Sequence, residues 1–276
     1  MAPTRAPLTS LCGILLHPAG HTRSPAMHRA AYRERGLDAT YVAFDVAPKL
    51  LGDALRGARA LGIRQLAVSL PHKVAVRKYL DRIDPVAQKI GAVNTITRVE
   101  DELVGSNTDW QGALRALERE APVAGRRAVV LGAGGTARAL VYALCREGAE
   151  VTVLNRTVAT AEGLAADLGA RAAGPLGALP DHRFEILVNT TSVGLGSDLS
   201  PVAAEALHPD CVVMDAVYEP ARTRLLRDAA AAGARTVEGK WMLVHQAALQ
   251  FESWSGCKAP LEAMARAFDQ AGGSGT

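Results

Sequence analysis

An α/β protein in two domains is the fold class that this sequence predicts, on three observations. Short apolar runs alternate with amphipathic stretches in βαβα order from Leu11 onward. The same order starts again at Arg127. The first apolar run of that second series ends in a glycine-rich turn, Gly132-Ala133-Gly134-Gly135. Alternating strands and helices give largely parallel sheets covered by helices. At 276 residues the chain is long enough for two ordinary cores.

Residues 11–16 read as the first strand. A turn-rich segment follows, and Pro25 suits the first position of a helix with Ser24 as its N-cap. That helix stops near Gly36. Residues 41–46 alternate like a strand. A helix over 48–61 ends at Gly62, and 65–70 is the next strand. In the second half, 127–131 is a strand, 136–147 a helix, 150–154 a strand and 159–168 a helix. Residues 186–189 and 212–216 are short buried strands. Helices over 242–253 and 260–270 close the chain, while 1–9 and 272–276 read as loose tails. The domain boundary falls near 110–125, in a helix leading to the glycine turn.

Bulk properties exclude several function classes. Net charge is +3, from 31 basic and 28 acidic residues, too balanced for a nucleic-acid or membrane partner. Aromatic residues are 4% of the chain, which argues against a base-stacking surface. The apolar run at 11–16 is too short for a signal-peptide core, and no run approaches the ~20 residues of a membrane span. Cys12, Cys145, Cys211 and Cys257 lie at neither metal-ligand nor CxxC spacing, so they read as reduced thiols. His17, His21 and His28 form no metal constellation with a nearby carboxylate pair, and no metal is expected. The expectation is a soluble cytoplasmic protein.

Three polar clusters carry the chemistry: Ser69-Leu70-Pro71-His72-Lys73, Gly91-Ala92-Val93-Asn94-Thr95 and Gly105-Ser106-Asn107-Thr108-Asp109. Each follows or interrupts an apolar run, so each is expected at a strand end, where the three can converge on one small molecule. Lys73 can stabilise a developing alkoxide and relay a proton. Asp109 can pair with that lysine and bind a hydroxyl. Asn94 and Asn107 offer both donors and acceptors, which suits a polyhydroxylated substrate. Singly, such residues read as a surface lysine and as turn formers. Together, and followed by a nucleotide turn, they point to a site. His72 has the ordinary pKa of a base, yet a strand-end neighbour facing away from Lys73 is the expected role. His245 reads as a packing or rim residue.

In the turn itself, Gly132 permits a tight bend and Gly134 lets the backbone approach a pyrophosphate. Gly135 and Thr136 open a helix whose N–H groups face that charge. Ala137 replaces the third glycine of the usual fingerprint and still allows close helix–strand packing. The competing reading is a tight turn without a ligand. The next strand ends in Asn155-Arg156-Thr157, with no acid to accept from a ribose. Arg156 suits a 2′-phosphate, favouring NADP over NAD; otherwise it is a solvated surface arginine.

Over about 11–268 the chain resembles the shikimate dehydrogenases. The resemblance rests on Thr22-Arg23-Ser24-Pro25-Ala26-Met27-His28, on Ala67-Val68-Ser69-Leu70-Pro71-His72-Lys73, and on the two asparagine clusters above. It extends through Gly132 to Arg138, Asn155-Arg156-Thr157, Asn189-Thr190-Thr191-Ser192-Val193-Gly194, Asp215-Ala216-Val217-Tyr218-Glu219-Pro220 and the segment from Glu238-Gly239 to Gln246-Ala247-Ala248. It implies NADP-dependent reduction of 3-dehydroshikimate to shikimate, with Lys73 and Asp109 as the catalytic pair. Thr22, Ser24, Ser69, Asn94 and Gln246 would hold the substrate, and Tyr218 would line the site beside the nicotinamide. The cofactor side would comprise Gly132, Ala133, Gly134, Gly135, Thr136, Ala137, Asn155, Arg156, Thr157, Thr191, Ser192, Val193, Val217 and Gly239.

The implied architecture is a substrate domain, 1–110 completed by 240–276, facing a Rossmann NADP domain, 111–239, across a deep cleft. The implied assembly is a monomer or homodimer. Three departures stand out. Ala67 replaces an asparagine, Thr22 replaces the first loop serine, and Val158-Ala159-Thr160 lacks a second arginine. The first two leave open a related ring alcohol, such as quinate or an aminoshikimate, and the third implies a weaker grip on NADP. A non-catalytic nucleotide or metabolite sensor on the same fold is the other alternative.

Overall fold

The computed structural model of this chain describes residues 9–20 and 22–272. His21 and the tail positions 1–8 and 273–276 lie outside the described residues.

In chain order the elements begin β1 (Ser10–Leu16), α1 (Ser24–Glu34), β2 (Ala39–Asp45), α2 (Leu51–Ala60), β3 (Gln65–Val68) and β4 (Arg82–Ile83). Next come α3 (Pro85–Ile90), β5 (Thr95–Val99), β6 (Glu102–Ser106), α4 (Asp109–Leu117), β7 (Arg127–Leu131), α5 (Gly135–Arg146) and β8 (Glu150–Leu154). The rest are α6 (Val158–Leu168), β9 (Ala172–Gly174), β10 (Ile186–Asn189), β11 (Val212–Asp215), α7 (Arg224–Ala231), β12 (Arg235–Val237), α8 (Gly239–Ser255) and α9 (Leu261–Gly272).

The chain divides into two compact units. One holds Met1–Asp84, Val93–Ser106 and Ala247–Thr276; the other holds Pro85–Ala92 and Asn107–Gln246. Relative to the division expected from sequence, residues 85–92, 107–110 and 240–246 fall in the second unit. The short α3 packs there on α5 and α6. Arg138 of α5 clamps it by donating to the Ile90 carbonyl.

The first unit is built on a six-stranded sheet of order β2-β1-β3-β5-β6-β4. It is mixed, where a largely parallel sheet was expected. Strands β2, β1 and β3 are parallel, but β5 runs antiparallel to both β3 and β6. Only Glu100 and Asp101 join β5 to β6, and a two-residue link allows a hairpin but no crossover. This matters for function. Reversing β5 brings the end of β3, the start of β5 and the end of β6 to one sheet edge, with Ala67 opposite Thr95 and Thr95 opposite Ser106.

The second unit carries a six-stranded sheet of order β12-β11-β10-β7-β8-β9, parallel throughout. Strands β10 and β11 are buried along their whole length, which explains why each is apolar up to its last residue, Asn189 or Asp215. Val130, Val153 and Val188 face Ala137, Leu140 and Leu144 of α5 in one core. Leu131, Leu187 and Val213 line a second core with Leu225 and Leu226 of α7.

Several boundaries differ from expectation. Ser24 is the first residue of α1 and not its cap; Arg23 holds the cap position without a side-chain bond. The Thr22 hydroxyl instead accepts the Ser24 N–H at 3.3 Å. The helix expected over 48–61 opens with a 3-10 turn at Pro48–Leu50 before α2 begins. Strand β3 stops at Val68, and β11 stops at Asp215. Helix α8 starts three residues early, at Gly239. Gly272 ends α9 and so is not part of a tail.

Candidate active site

At the shared edge of the first sheet, backbone hydrogen bonds gather the first two polar clusters. The Val93 N–H donates to the Lys73 carbonyl at 2.8 Å, and the Val68 N–H to the Asn94 carbonyl at 2.7 Å. The Ser69 N–H donates to Leu15 at 2.9 Å, and the Asn94 N–H to Ser106 at 3.1 Å. Ser69, Lys73 and Asn94 therefore belong to one rigid rim, with Asn94 buried and Ser69 and Lys73 half-buried. Thr22 precedes α1 and Ser24 opens it in the same unit, Ser24 buried at 3% exposure. His72 is turned into the core, where its Nε2 donates to the Val46 carbonyl at 2.8 Å. Burial lowers its pKa. It is a structural residue and not a base. His17 pairs with Asp45 at 2.7 Å on the surface.

Asp109 belongs to the second unit, as the first residue of α4. Asn107 shapes its approach. The Asn107 Oδ1 accepts the Asp109 N–H at 2.9 Å, while Nδ2 donates to the Ala92 carbonyl at 2.9 Å. Asn107 is thus a scaffold for the turn, in place of the ligand contact its sequence suggested. Thr108 ties the same turn to α8, its hydroxyl donating to the Gln246 carbonyl at 3.1 Å. Gly112 makes that approach possible, because a Cβ there would stand 2.8 Å from the Met242 carbonyl and 2.9 Å from the Gln246 nitrogen. Asp109 and Gln246 are brought together in this way, both buried. Burial, with Arg115 and Arg119 nearby, lowers the pKa of His245 on the same helix.

The glycine turn sits between β7 and α5. Gly132 has φ +106°, a conformation that favours glycine, and a Cβ there would stand 2.6 Å from the Thr190 hydroxyl. Gly134 is exposed, with open space where a Cβ would be. Gly135 starts the helix and Ala137 is fully buried beneath it. Ala133 and Thr136 flank them, half-buried. A turn with its second glycine uncovered at a helix N-terminus fits a diphosphate. At the end of β8, Asn155 Nδ2 donates to the Thr157 carbonyl at 3.0 Å, bending the chain there. Arg156 and Thr157 are exposed. Among the described residues Arg156 has no ion-pair partner, so its charge is uncommitted, as a 2′-phosphate ligand requires.

A buried clasp, which sequence reasoning recorded only as a pair of motifs, holds the next two loops. Asn189 ends β10 and Asp215 ends β11. Asn189 Nδ2 donates to Asp215 Oδ1 at 2.9 Å and to the Val193 carbonyl at 3.2 Å. Its Oδ1 accepts the Thr191 N–H at 3.0 Å and hydroxyl at 2.7 Å. Asp215 also accepts the Val217 N–H at 3.0 Å and the Thr223 hydroxyl at 2.7 Å. Two side chains therefore set the course of Thr191, Ser192, Val193 and Val217. Burial pushes the Asp215 carboxyl up to about 6, against the pull of these three donors. Gly239 lies against the same loop, its Cα facing the carbonyls of Asp215, Ala216 and Val217. Val217 and Gly239 are buried, and Tyr218 is half-buried.

The first unit offers a lysine with hydroxyl and amide groups, and the second a carboxylate, a glutamine and a dinucleotide turn. Taken by itself, a half-buried lysine can protonate an oxygen that gains charge, and a dinucleotide turn can hold a hydride carrier. No cluster of three or more metal-binding side chains lies among the described residues. None of the helices there is long and apolar enough to cross a membrane. Sequence reasoning missed Thr95, Thr108, Gly112 and Gln250. Thr95 and Thr108 had a visible signal, their adjacency to Asn94 and to Asn107 and Asp109; Gly112 and Gln250 had none.

Comparison with known proteins gives three family matches along the chain. Residues 14–96 match the shikimate dehydrogenase substrate binding domain, 115–193 the shikimate / quinate 5-dehydrogenase family and 239–267 the shikimate 5′-dehydrogenase C-terminal domain. A shikimate dehydrogenase (NADP(+)) of Halobacterium salinarum is 48% identical over 256 residues, covering 91% of this chain and 96% of its own. One from Methanopyrus kandleri is 46% identical over 274 residues, covering 94% of each chain. Among solved structures, shikimate 5-dehydrogenase from Thermus thermophilus in complex with NADP(H) and shikimate is 40% identical, with a TM-score of 0.89 over 95% of this chain and 99% of its own.

Proposed function

The chain belongs to the shikimate dehydrogenase family, and from that premise we propose that it catalyses the reversible NADP-dependent reduction of 3-dehydroshikimate to shikimate. The rim that carries Ser69, Lys73 and Asn94 supports this reading most directly. NADPH, when bound, supplies the hydride. Lys73 donates a hydrogen bond from Nζ to the ring carbonyl oxygen and passes a proton to it as the oxygen gains charge. Asp109, the second member of the proposed catalytic pair, accepts from the adjacent ring hydroxyl. Thr22 and Ser24 offer hydroxyls to the substrate carboxylate, and Asn94 and Gln246 offer amides to the ring oxygens.

On the cofactor side, the N–H groups of the turn from Gly132 to Ala137 face the diphosphate and Arg156 the 2′-phosphate. Val217, Tyr218 and Gly239 border the nicotinamide. Four free cysteines suit a reducing, cytoplasmic setting, and a monomer or homodimer is the expected assembly. NADPH oxidation with 3-dehydroshikimate tests the proposal. Lys73→Ala should lower kcat about 10²- to 10⁴-fold. Undiminished turnover by that variant, or none by the wild type, refutes it. A second reading, a related ring alcohol such as quinate, is favoured by Ala67 standing where the resemblance has asparagine. Relative kcat/KM for shikimate and quinate decides between them.

A further inference from the structure

The buried amides beneath the first unit's rim form a chain of hydrogen bonds with one possible direction. It starts at the Asn94 backbone carbonyl, which can only accept. Gln250 Nε2 donates to that oxygen at 3.0 Å, so the amino end of the Gln250 amide faces it. The same nitrogen lies 3.0 Å from Thr95 Oγ1 and donates its second proton there. The Thr95 hydroxyl proton then goes to Asn94 Oδ1, at 2.8 Å. All three side chains are buried, with Thr95 at 0% exposure. One lone pair of Asn94 Oδ1 is thereby claimed from below, and the orientation of the amide is decided.

Ala67 sits directly opposite Thr95 in the β3–β5 register, so the two share a face of the sheet. It brings no polar group to that face, although the resemblance has an asparagine at this position. Gln250, arriving from α8, supplies a side-chain amide there. His28, fully buried and stacked on Tyr41 at 4.1 Å, lies beyond Gln250 as its other polar neighbour.

We propose that Thr95 and Gln250 are positioning residues that fix the Asn94 amide with its N–H donors toward the ring substrate, Gln250 standing in for the amide that Ala67 lacks. The inference rests on the reading above that Asn94 contacts substrate. It adds that Asn94 acts as a donor, so the group it serves is an oxygen lone pair and not a hydroxyl proton.

Steady-state oxidation of shikimate with NADP tests this in Asn94→Ala, Thr95→Val, Thr95→Ser and the Asn94→Ala/Thr95→Val double variant. Thr95→Val should raise KM for shikimate about tenfold, the size expected for one lost orienting hydrogen bond, with KM for NADP unchanged. Thr95→Ser keeps the hydroxyl and should stay within about twofold of the wild type. The double variant should be no worse than Asn94→Ala alone, because Thr95 acts through that amide. Equal behaviour of Thr95→Val and Thr95→Ser, or multiplicative losses in the double variant, overturns the inference while leaving Asn94 a substrate contact. An unchanged KM in Asn94→Ala instead removes the reading beneath it. Should Thr95→Val fail to show a cooperative melt, Gln250→Ala carries the test. Its raised KM should return to within about twofold of the wild type in Ala67→Asn/Gln250→Ala, and no recovery counts against the substitution of one amide for the other.

Discussion

Gly239 is the position where one methyl group should do the most damage to the cofactor side. A Cβ built there would lie 2.7 Å from the Asp215 carbonyl oxygen and 2.8 Å from those of Ala216 and Val217. Carbon and carbonyl oxygen rest at about 3.3–3.6 Å, so the loop or the start of α8 must retreat by roughly half an ångström. All three neighbours are backbone, and no side chain can swing away. Overpacking of this kind costs about 1–3 kcal/mol. For a unit of this size that lowers the melting temperature by roughly 3–10 °C. The displaced loop also carries Val217 and Tyr218, so KM for NADP should rise about tenfold, in line with the sensitivity of sites to sub-ångström shifts. The assay is thermal unfolding with and without NADP, together with KM for both substrates. Gly163→Ala is the control, since a Cβ there meets nothing within 4 Å on α6. Helix propensity makes that change neutral or stabilising by up to about 1 kcal/mol. A Gly239→Ala variant that melts with the wild type and binds NADP equally well would refute the argument.

Two further perturbations test charge. Arg156→Ala should raise KM for NADP about 10- to 100-fold, the worth of a charge-assisted phosphate contact, and leave KM for NAD nearly unchanged; equal losses on both cofactors would remove Arg156 from the 2′-phosphate. The second concerns stability in acid. Burial lowers the His28 pKa from 6.5 to about 3, so the unfolded chain binds a proton that the folded one refuses. Its contribution is complete above pH 6.5 and is lost at about 1.4 kcal/mol per pH unit as pH falls toward 3. Asp215 runs the other way. Its carboxyl, raised from 3.8 to about 6, is protonated first in the folded protein, so its burial penalty is relieved between pH 6 and 3.8. The two slopes oppose each other in that window. Urea midpoints should therefore fall more steeply with acid in Asp215→Asn than in the wild type, and identical slopes would contradict the assignment.

The parallel sheet of the second unit was legible because β7, β8, β10 and β11 are short, mainly apolar segments of four or five residues bounded by turns. The glycine turn was legible because backbone conformation imposes glycine at 132 directly. The hairpin of the first unit was not. Thr95-Ile96-Thr97-Arg98-Val99 reads as half polar, and its antiparallel direction follows only from the shortness of the link at Glu100. The proposed site residues Lys73 and Asn94 stood out as polar groups after apolar runs. Asn107 looked the same in sequence, yet both ends of its amide are spent on backbone. Thr95, Gly112 and Gln250 sit inside regular elements, and beyond the adjacency of Thr95 to Asn94 nothing local marks them. Their roles come from partners 155, 134 and 156 positions away, respectively Gln250, Gln246 and Asn94, and a single sequence does not reveal such pairings.

The route of the chain constrains how this protein can be altered or have arisen. It passes from one unit to the other four times, after Asp84, Ala92, Ser106 and Gln246. A gene segment for 107–246 would encode almost the whole nucleotide unit but omit α3. Ile90 and Ala92, which close an apolar patch with Ala139, Trp110 and Tyr142, would be absent, as would the carbonyl that Arg138 holds. The cofactor half is therefore not a cassette. Exchanging it for the corresponding part of a relative requires a second, eight-residue graft from within the substrate half, and recombination at a single junction yields a hybrid with an unfilled wall.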